Sequence, residues 1–337
     1  MWINVKTAIA AVAVAASALV SAQTDSAAAL RQTPAGAAEQ LSWSSMVCAG
    51  TPFVCNRLDA KGLLFAEPGQ SKIVLISHGS QGVDARMFDY VKSLREAGLA
   101  ALVIDHWTPR GVGSTHDDYV AAAAKGATEL NEAFDSLAAA DLLRAKGFTK
   151  IGSIGESQGG AAAILLVQKW VHEFADRNMT RLYAKTFKTQ PLDAVVGMYG
   201  YCGFRNANRD GYVGTPFLFI TGEVDDETPS RYCERYVPYM NGRGGNAKIV
   251  VLEGEGHSFD APYKRQRNNF GPHYAKCDIL IEGSTVRELN SGQTMAGTDS
   301  APMFAKCKST IYHSGYWKDR FVAVPHWVDF FKQNLGG

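Results

Sequence analysis

Past Ala22 the chain has no apolar run long enough to cross a bilayer, so no integral membrane segment is expected in the mature protein. It has no excess of either charge: 34 basic residues stand against 33 acidic, a formal net charge of +1. Neither nucleic acid nor an anionic membrane surface is therefore an expected partner. Its 6 cysteines and 8 histidines contain no C-x-x-C or H-x-x-x-H spacing, which sets zinc aside. Gly111-Val112-Gly113 lacks the third glycine and the strand–helix frame of a dinucleotide site, so none is expected there. No internal repeat or linker divides the chain, and one domain is the better reading. What remains is the composition of a globular protein with a real core, 46% hydrophobic and 20% charged.

The start differs in kind. Met1–Ala22 has a short opening with Lys6, an apolar, Ala-rich run from Thr7 to Val20, then Val20-Ser21-Ala22. That order reads as a signal peptide, with a retained anchor as the competing reading. Its removal leaves 33 basic and 33 acidic residues, one lysine fewer than the full count. Residues 23–46, rich in Ala, Gln, Thr and Ser, read as a flexible lead-in to a domain over 47–337. Export to a secreted or periplasmic location lets the cysteines persist as disulfides. Six cysteines allow fifteen connectivities. Spacing suggests Cys48 with Cys55 and Cys277 with Cys307, which leaves Cys202 with Cys233.

Along the domain, short runs rich in Val, Ile and Phe alternate with amphipathic stretches. Ile73–Ser77, Ala100–Asp105, Ile151–Ile154, Ala194–Tyr199, Pro216–Ile220 and Lys248–Leu252 read as buried strands. Helices are expected near Arg86–Ala97, Asp118–Lys146, Gly159–Lys169 and Pro229–Met240, with a last one over Pro325–Asn334. Alternation of this kind implies right-handed βαβ units and a mainly parallel, doubly wound sheet. The rhythm breaks between Ser258 and Phe321, where a disulfide-tied insertion is expected, with a hairpin in Asp278–Arg287 around Glu282-Gly283.

Gly155-Glu156-Ser157-Gln158-Gly159-Gly160 fits G-x-S-x-G and sits between a strand and an apolar helix, Ala161–Val167. A nucleophile elbow needs that context, because a tight turn holds the serine in a geometry only small neighbours permit. A plain Gly-rich turn with a solvent-facing serine is the bland alternative. A serine hydroxyl needs a base to take its proton. Downstream, Glu223-Val224-Asp225-Asp226-Glu227-Thr228-Pro229 follows a strand, with Thr228 placed to cap the helix that Pro229 opens. At least two of these four acids should simply be solvated. Gly256-His257-Ser258 follows the next strand, giving the order Ser157, Asp225, His257 of a catalytic triad. His78 and His106 end strands but precede the serine, which suits a rim or structural role. For the oxyanion hole the backbone N–H groups of Gln158 and Ser80 are the candidates, the latter from Ser77-His78-Gly79-Ser80-Gln81-Gly82.

Ile76–Gly82, Gly155–Gly160, Gly222–Pro229 and Gly256–Phe259 together resemble the dienelactone hydrolase family of α/β-hydrolases, over roughly Lys72–Asp260 and the last helix. The family's Gly-x-x-Asp-x-x-x-Pro spacing selects Asp225 over Asp226. The resemblance implies an α/β-hydrolase fold and an enzyme that cleaves a small-molecule ester or lactone without metal or organic cofactor. It departs in two places: the family's nucleophile is a cysteine where this chain has Ser157, and Gly79 stands about where the family carries a glutamate beside the oxyanion loop. A serine peptidase or acyltransferase on the same triad, and a non-catalytic binding protein on the fold, are the competing functions. The first pair of these would use the same acyl transfer; the last is disfavoured because every triad position is filled.

Overall fold

The strands that read as continuous apolar runs are buried on both faces, the pattern of strands covered by helices above and below. The protein is seen here in a computed structural model that describes residues 38–50, 53–113, 119–209, 211–268, 275–296, 306–307 and 309–336. The leader expected at 1–22 and the larger part of the lead-in fall outside them. In chain order the main strands are β1 (Glu39–Ala49), β2 (Val54–Phe65), β3 (Lys72–Ser77), β4 (Ala100–Asp105), β5 (Lys150–Glu156), β6 (Ala194–Met198), β7 (Pro216–Gly222) and β8 (Asn246–Leu252). Among the described residues they form one sheet in the order β1-β2-β4-β3-β5-β6-β7-β8. Strands β3 to β8 pair in parallel, while β1 and β2 join antiparallel at one edge. This is the α/β-hydrolase arrangement, and the strand order reverses between β3 and β5. Ligands of open α/β sheets bind at the carboxyl ends of strands at such a switch point.

Strand alternation then sorts the core into two halves. Ile73, Leu75, Leu102 and Ile104 point to the face covered by α3 (Glu129–Ala145), α4 (Gln158–Leu166), α5 (Lys169–Tyr183) and α6 (Ser230–Asn241). Val74, Ile76, Ala101 and Val103 point to the face covered by α1 (Ala85–Glu96) and α7 (Val324–Leu335). Gly152 lets α7 approach β5, since a Cβ there would lie 2.8 Å from the Phe331 ring.

Three expectations need correction. The domain begins earlier than 47, because residues 39–46 belong to β1 rather than to a flexible lead-in. The strand is fixed by alternate burial of Leu41, Trp43 and Ser45 and by bonds from Trp43 Nε1 to the Asp135 carbonyl (3.0 Å) and from Ser45 Oγ to Asp135 Oδ1 (2.6 Å). The long helix expected from Asp118 is two, α2 (Tyr119–Ala124) and α3, broken at Gly126, whose φ of 88° no helix accommodates. The helix after the elbow likewise ends at Leu166, and α5 follows it.

The insertion carries small sheets of its own. Ile279–Glu282 and Thr285–Glu288 form the expected hairpin, and Ile279–Glu282 also pairs in parallel with Phe204–Asn206 from the loop after β6. Gln266–Asn268 pairs with Tyr312–Ser314. Disulfides join Cys48 to Cys55, Cys202 to Cys233 and Cys277 to Cys307. Cys48 and Cys55 face each other across the β1–β2 ladder. No described helix is long and apolar enough to cross a membrane.

Candidate active site

Ser157 sits where β5 ends and α4 begins, with φ 50° and ψ −109°. A non-glycine residue held there costs roughly 1–3 kcal/mol, so its surroundings must impose it. They do so through backbone bonds and missing side chains. Ser157 N donates to Met198 O (3.0 Å), and Ala161 N donates to Ser157 O (2.9 Å). A Cβ on Gly155 would fall 2.1 Å from Gly159 O, one on Gly159 2.5 Å from Ser77 O, and one on Gly160 2.4 Å from Met198 O. Each glycine of the motif is thus required by a neighbouring backbone, that of the turn itself or of the ends of β3 and β6.

The other two predicted residues converge on this serine. His257, from the loop after β8, places Nε2 3.1 Å from Ser157 Oγ and Nδ1 3.0 Å from Asp225 Oδ2. The edge-on ring of Tyr199, 4.9 Å between centroids, braces the imidazole. Asp225 and His257 are buried, while Ser157 is half-buried and open to a substrate. Asp225 also accepts from the backbone N–H groups of Glu227 (2.9 Å) and Thr228 (2.7 Å). Burial alone would raise its pKa; His257 and the Thr228 bonds outweigh burial and hold it below the usual carboxylate range. Burial likewise would lower the pKa of His257, but Glu227 and Asp225 carry it up to about 9. The neutral imidazole that a general base needs is therefore reached only at higher pH than for an ordinary histidine.

The acidic loop is otherwise unlike its expectation. Thr228 does not cap α6, whose N-cap is Pro229 without a side-chain bond. Its hydroxyl instead lies 2.8 Å from Asp225 Oδ2 and 3.1 Å from His257 Nδ1, where it steadies the pair. Nor are two of the acids merely solvated. Glu223 accepts from Gly254 N (2.9 Å), and Asp226 binds His313 through its backbone N–H (2.7 Å) and Nδ1 (2.8 Å). Glu227 Oε2 stands 3.4 Å from His257 Nε2.

At the expected oxyanion hole, the Gln158 amide opens α4 and the Ser80 amide lies in the loop after β3. Gly79 N, on the same loop, is already committed, donating to Glu156 Oε1 at 2.6 Å. A Cβ at Gly79 would lie 2.6 Å from Glu156 Oε2. A carboxylate thus stands beside Gly79, and it comes from inside the serine motif. Glu156 pairs with the buried Arg86 (3.2 Å), which also meets Asp84 (2.6 Å) and Asp260 (3.7 Å). In the sequence, Glu156 and Arg86 carried no assigned role, Thr228 read only as a helix cap and Glu227 only as one of four loop acids, although the acid in Gly-Glu-Ser-Gln-Gly was a signal for the first.

His78 and His106 are fully buried rather than at a rim. His106 bonds Asp135 through Nδ1 (2.9 Å) and lies 3.1 Å from Ser77 Oγ through Nε2. The segment after His257 carries Tyr263, Phe270, His273 and Tyr274; the last three lie outside the described residues, while the Tyr263 hydroxyl is 3.1 Å from Ser314 Oγ. Among the described residues no group of three or more His, Cys, Asp or Glu is arranged to hold a metal ion.

No family model matches the chain, and no curated protein matches it. Solved structures are similar to it in fold. A dienelactone hydrolase from Anabaena variabilis is 22% identical over 66% of this chain and 90% of its own, with a TM-score of 0.42. A dienelactone hydrolase-like promiscuous phosphotriesterase from metagenomic libraries is 18% identical over 67% and 86%, TM-score 0.45. Esterase 2 of Thermogutta terrifontis, phosphoramylated by tabun, is 14% identical over 68% and 86%, TM-score 0.47.

Proposed function

We propose that this chain is an exported serine hydrolase, related to the dienelactone hydrolases, that cleaves small carboxylic esters or lactones through an acyl-enzyme. The observation that carries the reading is the Ser157–His257–Asp225 chain of contacts, 3.1 and 3.0 Å, on a strained strand–helix turn. In this reading Ser157 attacks the carbonyl carbon as His257 takes its proton through Nε2. Asp225 holds the imidazole through Nδ1 and stabilises the imidazolium. The amides of Gln158 and Ser80 receive the oxyanion. His257 then protonates the leaving alcohol, and water, deprotonated by the same nitrogen, releases the acid. Export is supported by the leader-like Met1–Ala22 and by three disulfides that an oxidising compartment would preserve.

A p-nitrophenyl ester series tests it. Acetyl and butyryl esters should turn over faster than the palmitoyl ester, and Ser157→Ala should lose activity by several orders of magnitude while staying folded. Activity of Ser157→Ala within about tenfold of wild type would remove the serine from the mechanism.

A further inference from the structure

The triad leaves one carboxylate at its face without a task. Glu227 Oε2 lies 3.4 Å from His257 Nε2, the nitrogen that also faces Ser157 Oγ. That oxygen is buried and accepts no hydrogen bond, while the side chain as a whole keeps 21% of its exposure. Its neighbours on the loop are all engaged. Asp225 is held by backbone amides and His257, Asp226 by His313, and Glu223 by the Gly254 amide. Among the described residues the imidazole of His257 is the cation within 4 Å of Glu227.

The position fixes what this carboxylate meets. In ester cleavage Nε2 must reach the leaving oxygen to protonate it. The alcohol half of the substrate is then seated beside Glu227, in surroundings where water screens charge poorly. Glu156 of the elbow and Tyr312 of the insertion lie within electrostatic reach of Glu227, while Arg86 is already shared among Asp84, Glu156 and Asp260. No uncommitted cation among these groups would receive an anion.

Building on the hydrolase reading, we infer that Glu227 is a specificity-determining residue that favours esters whose leaving alcohol carries a positive charge near the ester oxygen and disfavours those carrying a carboxylate there. A hydrocarbon alcohol gains nothing from it. The carboxylate also acts on the base. His257 faces Asp225 and Glu227 from the acidic loop, Glu156 from the elbow, Tyr199 from the end of β6 and Tyr312 from the insertion. Removing the Glu227 charge lowers the imidazole's proton affinity, so the acid limb of kcat/KM should move to lower pH.

The test compares choline acetate, its neutral isostere 3,3-dimethylbutyl acetate, and the anionic acetoxyacetate, titrating released acid at pH 8.5. Wild type should favour the cationic over the neutral ester by about tenfold in kcat/KM and disfavour the anionic one. In Glu227→Gln the cation-to-neutral ratio should fall to near one and the acid limb should shift downward. A fluorophosphonate adduct on Ser157 shows that the variant is folded. Should the variant fail to fold, free choline should slow fluorophosphonate labelling of wild type while 3,3-dimethylbutanol does not. An unchanged ratio in a labelled variant, or equal protection by both alcohols, overturns the role of Glu227 alone. Wild type that neither labels nor hydrolyses any of the three esters overturns the hydrolase reading and this inference with it.

Discussion

Two sets of serine, histidine and aspartate occur in this molecule with almost the same distances. In one, Ser157 Oγ is 3.1 Å from His257 Nε2 and Nδ1 is 3.0 Å from Asp225. In the other, Ser77 Oγ is 3.1 Å from His106 Nε2 and Nδ1 is 2.9 Å from Asp135. The second set is sealed: Ser77 is 2% exposed, and His106 and Asp135 are not exposed at all. Its aspartate is also committed elsewhere, to both terminal nitrogens of Arg110 at 2.7 and 3.1 Å. Burial therefore prevails at His106 and lowers its pKa, whereas at His257 the unshared acids prevail and raise it. Hydrogen-bond distances alone do not make a catalytic triad. A serine on a strained turn open to solvent, and an aspartate with no competing cation, separate the two.

Paired substitutions give the largest contrast. Asp225→Asn should cut turnover on the order of 10⁴-fold while the protein stays folded. Asp135→Asn should instead cost about 3–5 kcal/mol, because Arg110 would be left buried without its counter-charge. Steady-state kinetics and urea unfolding of both variants separate the roles; loss of turnover without loss of stability in Asp135→Asn would erase the distinction.

His257 and the two sealed histidines should also respond to pH in opposite directions. His257 must be neutral to accept the serine proton, so kcat/KM should fall as pH drops through about 9. Its raised pKa stabilises the fold below the unfolded value near 6.5, and that contribution is lost as pH rises through about 9. His78, lowered to about 4, and His106 act in the reverse sense. The unfolded chain takes up protons that they refuse, so stability is lost as pH falls from about 6.5 toward 4. A thermal-unfolding profile across pH, set beside the rate profile, shows whether the two limbs are distinct.

Ser77→Ala should be mild by comparison, costing about 1 kcal/mol for a buried hydrogen bond and leaving activity within severalfold. An effect of similar size should be a gain. Glu132, one turn before Asp135 and Ser136 on α3, is buried with neither carboxylate oxygen bonded, and burial raises its pKa well above the ordinary value. That contribution weakens the fold as pH rises above about 4.5. Glu132→Gln should therefore add about 1 kcal/mol at pH 8 and raise the melting temperature by a few degrees. A lower melting temperature would mean that the carboxyl has a partner the contacts do not show.

Much of this was legible in the sequence because it rests on local signals. Runs such as Ile73–Ser77 announce buried parallel strands, and Gly155–Gly160 between strand and helix announces the elbow. The strand β1 was not legible, since Gln40, Ser42, Ser44 and Ser45 mask the alternation of Leu41, Trp43 and Met46, and its partners on α3 lie about 90 residues away. The same distance problem hides function. Glu156 and Arg86 meet only because β5 and α1 flank β3, and Thr228 reads as a helix cap until Tyr199 and His257 are folded against it. Spacing selected Asp225, but that Asp226 is drawn off by His313 depends on an insertion almost 90 residues downstream.

Reaction of the intact protein with a fluorophosphonate, followed by peptide mass mapping, separates the two constellations in a single measurement. The adduct should form on Ser157, form faster as pH rises toward 9 and His257 loses its proton, and leave Ser77 unmodified. An adduct on Ser77, or none on Ser157 in folded protein, would contradict the assignment of Ser157, His257 and Asp225 as the catalytic set.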